Sequence, residues 1–437
     1  MSDACPAEAG PRRRLFLHCT GSPVPGQDRY AERALVLARG DDLVCVPRSV
    51  EPEYLGFLFS LGLGPAAANL IAPREGGEGP LAARLLHDGG MVEQVARRLG
   101  PSPVAIHPYA GTPEVFALAR ALERVSSRPV RVHGASPDLL ALVHQRPLMR
   151  ARAAALGIPV AEGELVELAS PFGRRRRDLE PLRLAIERQL RRTGRVIVRG
   201  ASGAVGSSTF VVGPGGEDAD DVLRRVGLAS GNRAYLVEVL VDATVCSTVH
   251  LRLEPGGGGA LLLGVTDRRR GRGLAPGGSR YPSAAHTVEA MKSWGVRFGG
   301  CLGEAGYTGQ VAIDFVEYRD PCTGEPRSFF AGVDPRASEG SYALALRDGV
   351  AAAAFVSGTV ATRAAGFGRL REALGGLLYD PDRGSGVIPY ATGWLEQGRC
   401  PVVALGGERL HASELLGKAA AAAPTAAVDI DAARPVS

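Results

Sequence analysis

The sequence predicts an α/β protein of more than one domain, its strands and helices interleaved along 437 residues. Three observations carry this reading. Short β-branched runs such as Val196–Val198, Val104–Ile106 and Val311–Ile313 alternate with segments of helical apolar spacing. The length leaves room for roughly two to four separate cores. A hydrophobic content of 45% with 22% charged residues is that of an ordinary globular chain.

From Leu15 to about Val132 the chain reads as one small α/β unit. Leu15–Leu17, Leu43–Val46, Val104–Ile106 and Arg131-Val132 have strand character. Thr112 stands at a helix cap and Pro113 in the first turn, with Val115, Phe116, Leu118, Ala119 and Leu122 supplying the period. Ser136-Pro137-Asp138 opens a short helix, and Pro147 opens another that closes at Gly157. The run Arg174–Arg177 predicts a solvated loop ahead of a helix over Leu182–Arg192. Strands at Phe210–Val212 and Tyr235–Val241 flank a helix near Asp218–Val226. Thr248–Leu253 and Leu261–Val265 predict a hairpin across Gly256–Gly259, followed by a basic loop, Asp267–Arg272, and a helix around Ala284–Glu304. Val311–Tyr318 and Phe329–Arg336 predict a second hairpin. The Ala-rich run Val350–Ala361, too short to span a membrane, predicts a buried helix. A small unit from Leu377 to about Ala422 closes the fold, and residues 1–11 and those beyond about 424 read as disordered tails.

The formal charge of +5 is small for this length and argues against a nucleic-acid partner. Only Lys292 and Lys418 among the 51 basic residues are lysines, so arginine stands where lysine would be expected, with charge and phosphate-binding capacity kept. Seven scattered cysteines without a CxxC pair indicate neither a disulfide framework nor a zinc site and fit a reducing cytoplasm. No signal peptide or membrane span is predicted. His18, His107, His133, His144 and His286 show no metal-ligand spacing and read as structural or surface residues.

Two segments carry chemistry. In Arg195–Gly213 a glycine- and serine-rich loop, Ala201–Ser208, joins two strands. Such a loop brings backbone N–H groups against phosphate oxygens. A P-loop runs into a helix, whereas this one runs into a strand, which makes it a hairpin flap over a nucleotide, with Arg199 supplying fixed charge. The second segment is the hairpin with its tip at Pro321–Gly324. Symmetry about Gly324 puts Asp314 directly across from Asp334, with Gly332 and Arg336 on the same face. Two carboxylates so close repel, or one stays protonated, unless a cation sits between them, and magnesium takes one or two carboxylates plus substrate phosphates. A pairing of one Asp with Arg336 is the structural alternative.

Flap, strand ending in Glu238 and carboxylate hairpin follow the order of the ATP-grasp superfamily, and the chain resembles its pheganomycin-type peptide ligase family from about residue 30 to 422. PYAGTPEVFALARAL (108–122) resembles the linker into the grasp module, HQRPLMRARAAALGIPV (144–160) the helix with the first nucleotide-binding basic residues, and LLYDPDRGSGVIPYATGWLEQG (377–398) the start of the C-terminal domain. The resemblance implies an ATP-grasp fold: an N-terminal pre-ATP-grasp α/β domain (12–135), a lid subdomain (136–242), a central domain with the metal hairpin (243–375), a small C-terminal domain (376–424) and a tail (425–437). It implies that Arg146, Arg150 and Arg199 hold the phosphates of ATP and that Ser202, Gly203, Gly206, Ser207 and Ser208 form the flap. Glu238 would mark the adenine hinge, Asp314 and Asp334 would bind Mg2+, and Arg336 would stabilise the acyl phosphate. Arg268, in the basic loop, stands near the family's substrates, either binding a substrate carboxylate or solvated.

The implied activity is an ATP-dependent carboxylate–amine ligase making a peptide or amide bond through an acyl phosphate, with amino acids or peptides of specialised, antibiotic-type metabolism as substrates. A homodimer is left open, and neither membrane nor nucleic acid is a partner. The family's Glu-x-Asn pair reads Gly332-Val333-Asp334, and its ribose-binding acid is replaced near Val245. A nucleotide-binding relative without turnover is therefore the alternative, and a small-molecule kinase a third reading. Glu339 is a further acidic candidate for the missing charge.

Overall fold

The computed structural model of the chain describes residues 13–18, 27–73, 79–169, 176–202, 208–228, 231–257, 259–270 and 276–423. The chain divides into two units, one of Met1–Ala135, Gly278–Pro282 and Glu339–Ser437, the other of Ser136–Gly277 and Ser283–Ser338.

In the first unit, short apolar runs give a five-stranded parallel sheet in the order Leu70–Ile71, Leu43–Cys45, Arg13–Leu17, Val104–Pro108, Val130–Val132. Parallel strands need crossovers, and the helices Leu81–His87, Met91–Leu99 and Pro113–Ser126 lie in those that lead from Leu70–Ile71 to Val104–Pro108 and on to Val130–Val132. Their apolar faces meet the sheet in a core that includes Leu15, Leu43, Leu85, Val95, Ile106 and Leu118. Thr112 does take the cap position, but its side chain makes no capping hydrogen bond. The same unit contains the antiparallel strands Ala354–Ala361, Arg399–Gly406 and Gly386–Pro389, backed by the helix Arg409–Ala422.

The expected helix over Val350–Ala361 is not formed. A helix ends at Gly349, Ala351 adopts a left-handed φ of 53°, and Ala354–Ala361 is a strand. The Phe355–Val360 run is the reason: with strand partners available, its β-branched residues outweigh the helix propensity of the alanines before it.

The second unit carries two antiparallel arrays. One runs Thr209–Val212, Val196–Gly200, Ala234–Val239, Gly163–Glu167, packed on the helices Glu180–Thr193 and Ala219–Leu228. The other runs Pro326–Asp334, Gly309–Arg319, Ala243–Leu253, Ala260–Arg270. The helix Val288–Glu304 crosses it closely: a Cβ at Gly295 would lie 2.7 Å from Val249, and one at Gly299 2.6 Å from Leu251. The expected basic loop from Asp267 is strand as far as Arg270, because the ladder with Ala243–Leu253 continues to the Ser247–Asp267 pair. No helix among the described residues is long and apolar enough to cross a membrane.

Candidate functional site

The second unit gathers three arginines around one buried carboxylate. Arg146 opens the helix Arg146–Ala155; its backbone N–H donates to Ala201 O at 2.9 Å and its Nη1 to Gly200 O at 2.6 Å. This ties the helix start to the strand end from which the glycine loop departs. Arg150, one turn on, donates from Nε to Glu238 Oε1 at 3.1 Å and from Nη2 to Ala161 O at 2.6 Å. Arg199 donates from Nε to Glu238 Oε2 at 2.9 Å, and its Nη2 pairs with the same oxygen. Glu238 is 1% exposed. Arg150 and Arg199 share the single Glu238 carboxylate, which leaves an excess of positive charge on it, and burial with the neighbouring Arg199 cation presses the pKa of Arg146 down.

Residues outside the sequence reading hold this cluster. Gly163 pairs with Glu238 across the ladder, and a Cβ there would lie 2.6 Å from Glu238 Cα and 2.8 Å from its Cγ. Ser202 donates from its backbone N and from Oγ to Asn232 Oδ1 at 2.8 and 3.1 Å, and Ser208 Oγ donates to Ser202 O at 3.3 Å. Asn232 thus pins Ser202, just beyond the strand Val196–Gly200. Its only signal in sequence is the Gly231-Asn232 dipeptide, which reads as an ordinary turn. Gly203, Gly206 and Ser207 lie outside the described residues.

The carboxylate hairpin differs in register from the symmetric reading. Asp314 lies opposite Gly332, and Asp334 opposite Ala312; a bulge leaves Ala331 unpaired in the ladder. The tip turn is therefore off-centre, and a period-two slip keeps both aspartates on one face as diagonal neighbours. The bulge has a use: Ala331 O accepts from Arg199 Nη1 at 2.8 Å.

Asp314 accepts from Thr248 Oγ1, directly across the next strand, and from Arg268 Nη2, both at 2.7 Å. Burial first, then the Asp334 charge, push the Asp314 carboxyl up, while Arg268 and Thr248 oppose the shift. Arg336 Nη2 contacts Asp334 Oδ1 at 3.4 Å. His144, read from sequence as structural, sits close enough to Asp334, Arg336 and Arg146 to feel their charges, and burial lowers its pKa. Thr248 gives no signal in sequence, because its partner Asp314 lies across the sheet, and His144, at the end of the helix Pro137–Val143, gives none because the charges near it are distant in sequence. Glu339 belongs to the first unit, where it accepts from Ser357 Oγ at 3.1 Å.

No group of three or more His, Cys, Asp or Glu side chains able to hold a metal occurs among the described residues. Two hard carboxylates on one face fit magnesium, which takes few protein ligands and completes its shell with phosphate oxygens and water.

The Pre ATP-grasp domain family matches residues 31–123. No curated protein sequence matches the chain. Among solved structures, the ADP complex of purK, N5-carboxyaminoimidazole ribonucleotide synthetase, is similar with TM-score 0.55 at 13% identity, covering 93% of this chain and 96% of that one. The same synthetase from Thermus thermophilus gives TM-score 0.51 at 14% identity over 95% and 99% of the two chains. A biotin carboxylase–beta-gamma-ATP complex from Campylobacter jejuni gives 0.56 at 12% identity over 93% and 90%. The chain therefore has the ATP-grasp fold, with a pre-ATP-grasp domain at its N-terminal side.

Proposed function

We propose that this protein is an ATP-dependent carboxylate–amine ligase that forms a peptide or amide bond between amino-acid or peptide substrates, releasing ADP and phosphate. The observation that carries the reading is the excess of guanidinium charge around Glu238, set beside two aspartates that share a face. An anion carrying several charges that also brings a divalent cation matches both halves, and a nucleoside triphosphate with Mg2+ is such an anion. Two of the similar structures are complexes with ADP and with beta-gamma-ATP, which supports the same choice.

In this reading Arg146, Arg150 and Arg199 hold phosphate oxygens, and the loop from Ser202 to Ser208 covers them. Glu238 keeps Arg150 and Arg199 aimed, and the backbone beyond it takes the adenine. Mg2+ on Asp314 and Asp334 would supply charge neutralisation at the phosphates. The substrate carboxylate attacks the γ-phosphoryl group and ADP leaves; the amine then adds to the acyl carbon, phosphate departs, and the amine loses a proton. Such chemistry asks little of the protein beyond positioning and charge. Arg336 stabilises the acyl-phosphate oxygens, and Arg268 orients Asp314 or binds a substrate carboxylate.

A binding-only role is the second reading, favoured by Gly332, which places no side chain opposite Asp314. ADP release is the deciding measurement. With ATP and Mg2+, amino acids and short peptides should drive ADP release that depends on the amine, with a condensed product in the mass spectrum. Nucleotide binding without ADP release in any combination refutes the ligase; ADP release with a phosphorylated product identifies a kinase.

A further inference from the structure

The first unit contains a group of buried hydrogen-bond donors that lack acceptors among the described residues. Arg33, 9% exposed, lies with its guanidinium 4.4 Å from the ring centre of Tyr30, 4.8 Å from that of Tyr342 and 5.5 Å from that of Tyr109. Its Nε donates to Tyr30 O at 3.0 Å. Among the described residues its two terminal nitrogens have no acceptor, and no carboxylate comes within ion-pair distance. The Tyr30 ring meets Trp394 at 4.5 Å, and Arg399 lies over Trp394 at 4.0 Å. Trp394 Nε1 and Arg399 Nε are buried with no hydrogen-bond partner among the described residues.

The neighbouring acids are engaged. Glu32 accepts from Thr392 Oγ1 at 2.9 Å and Gly393 N at 3.0 Å. Glu396 pairs with Arg29 at 2.9 Å and Arg48 at 3.2 Å. Glu339 accepts from Ser357. Aromatic rings repay part of the cost of burying a guanidinium, but they do not accept its in-plane N–H groups. What is missing is an acceptor that carries negative charge.

We propose that Arg33, Tyr30, Trp394 and Arg399 form a recognition site for the carboxylate of an amino-acid or peptide substrate. The planar fork of arginine matches a carboxylate in two parallel hydrogen bonds, and the rings suit the apolar body attached to it. Burial raises the Tyr30 pKa, so its hydroxyl stays a donor. Burial and the Arg33 cation hold His18 down to about 3, so it adds no second charge. The site also gives a use to the stretch 377–398, which contributes Trp394 and is idle in the phosphate-binding cluster. It rests on the ligase reading for the substrate class, but its test does not depend on turnover.

The test is ligand-observed NMR on the full chain, with the proteinogenic amino acids and glycyl dipeptides as probes, each as free acid and as C-terminal amide. At least one acid should bind, its amide at least about tenfold more weakly. Arg33→Gln should weaken that acid by at least about tenfold, and Trp394→Phe, which keeps an aromatic face but removes the pyrrole ring with its N–H, by a smaller but measurable factor. ATP binding, read by thermal shift, should be unchanged in both variants. Acid and amide binding equally, no acid binding, wild-type affinity in Arg33→Gln, or inorganic phosphate displacing the acid at equal concentration would each overturn the proposal. Failure of the ligase reading would show separately, as acid binding without ADP release.

Discussion

Replacing Glu238 by glutamine keeps its shape and removes its charge. The wild-type carboxylate, 1% exposed, takes three guanidinium N–H contacts from Arg150 and Arg199, whose side chains are 25% and 17% exposed. A glutamine oxygen can accept only part of this, and its NH2 faces donors. Breaking a buried pair from one side costs about 3–5 kcal/mol, because the remaining charges lose their counter-ion. Spread over a unit of this size, that is a fall in Tm of about 6–20 °C. Denaturant unfolding read from the second unit measures the free energy, and an ATP thermal-shift titration measures the consequence for binding: the freed arginines should hold nucleotide less tightly than in the wild type. A loss below about 1 kcal/mol with unchanged ATP affinity would refute the view that one carboxylate aims both guanidiniums.

Three further outcomes are expected. Asp314→Asn should abolish Mg2+-dependent ADP release while leaving apo stability within about 1 kcal/mol, since the Arg268 side of the lost pair is 39% exposed and the repulsion from Asp334 goes with it; wild-type turnover would remove the metal assignment. Gly332→Glu should fit, because a Cβ there meets nothing within 4 Å, and should lower the Mg2+ concentration needed for half-maximal ADP release; a higher requirement would show that the position opposite Asp314 does not face the ion. His250, buried against Thr266 and Arg268, is held down from 6.5 to about 3. Its unfolded form therefore binds a proton that the folded form refuses, so its contribution to stability is present above pH 6.5 and falls by about 1.4 kcal/mol per pH unit toward pH 3. His250→Gln should flatten the stability curve between about pH 6.5 and 4 in urea titrations, and an unchanged slope would contradict the burial.

Four strands of the first unit, the strand pair that flanks Ala201–Ser208 and the acidic hairpin are legible because period and turn chemistry are local. So is Arg199, since a charge beside a glycine loop needs no partner to be noticed, whereas Arg146 and Arg150 stand out only through the family resemblance. Val350–Ala361 misleads for the complementary reason: an alanine run has a strong local preference, and only a strand waiting beside Phe355–Val360 overrides it. The hairpin register slips because sequence symmetry about a turn says nothing of a bulge at Ala331.

By itself, then, the sequence determined which segments repeat with which period, and hence the fold class and the residues that carry charge. Tertiary structure alone decided what those charges meet: Glu238 between two arginines, Arg268 and Thr248 on Asp314, and Arg33 among aromatic rings with no acid paired to it among the described residues. The physical reason is range. Backbone preference is set within a few neighbouring residues, whereas a carboxylate and its guanidinium can be 88 positions apart along the chain and 3.1 Å apart in space.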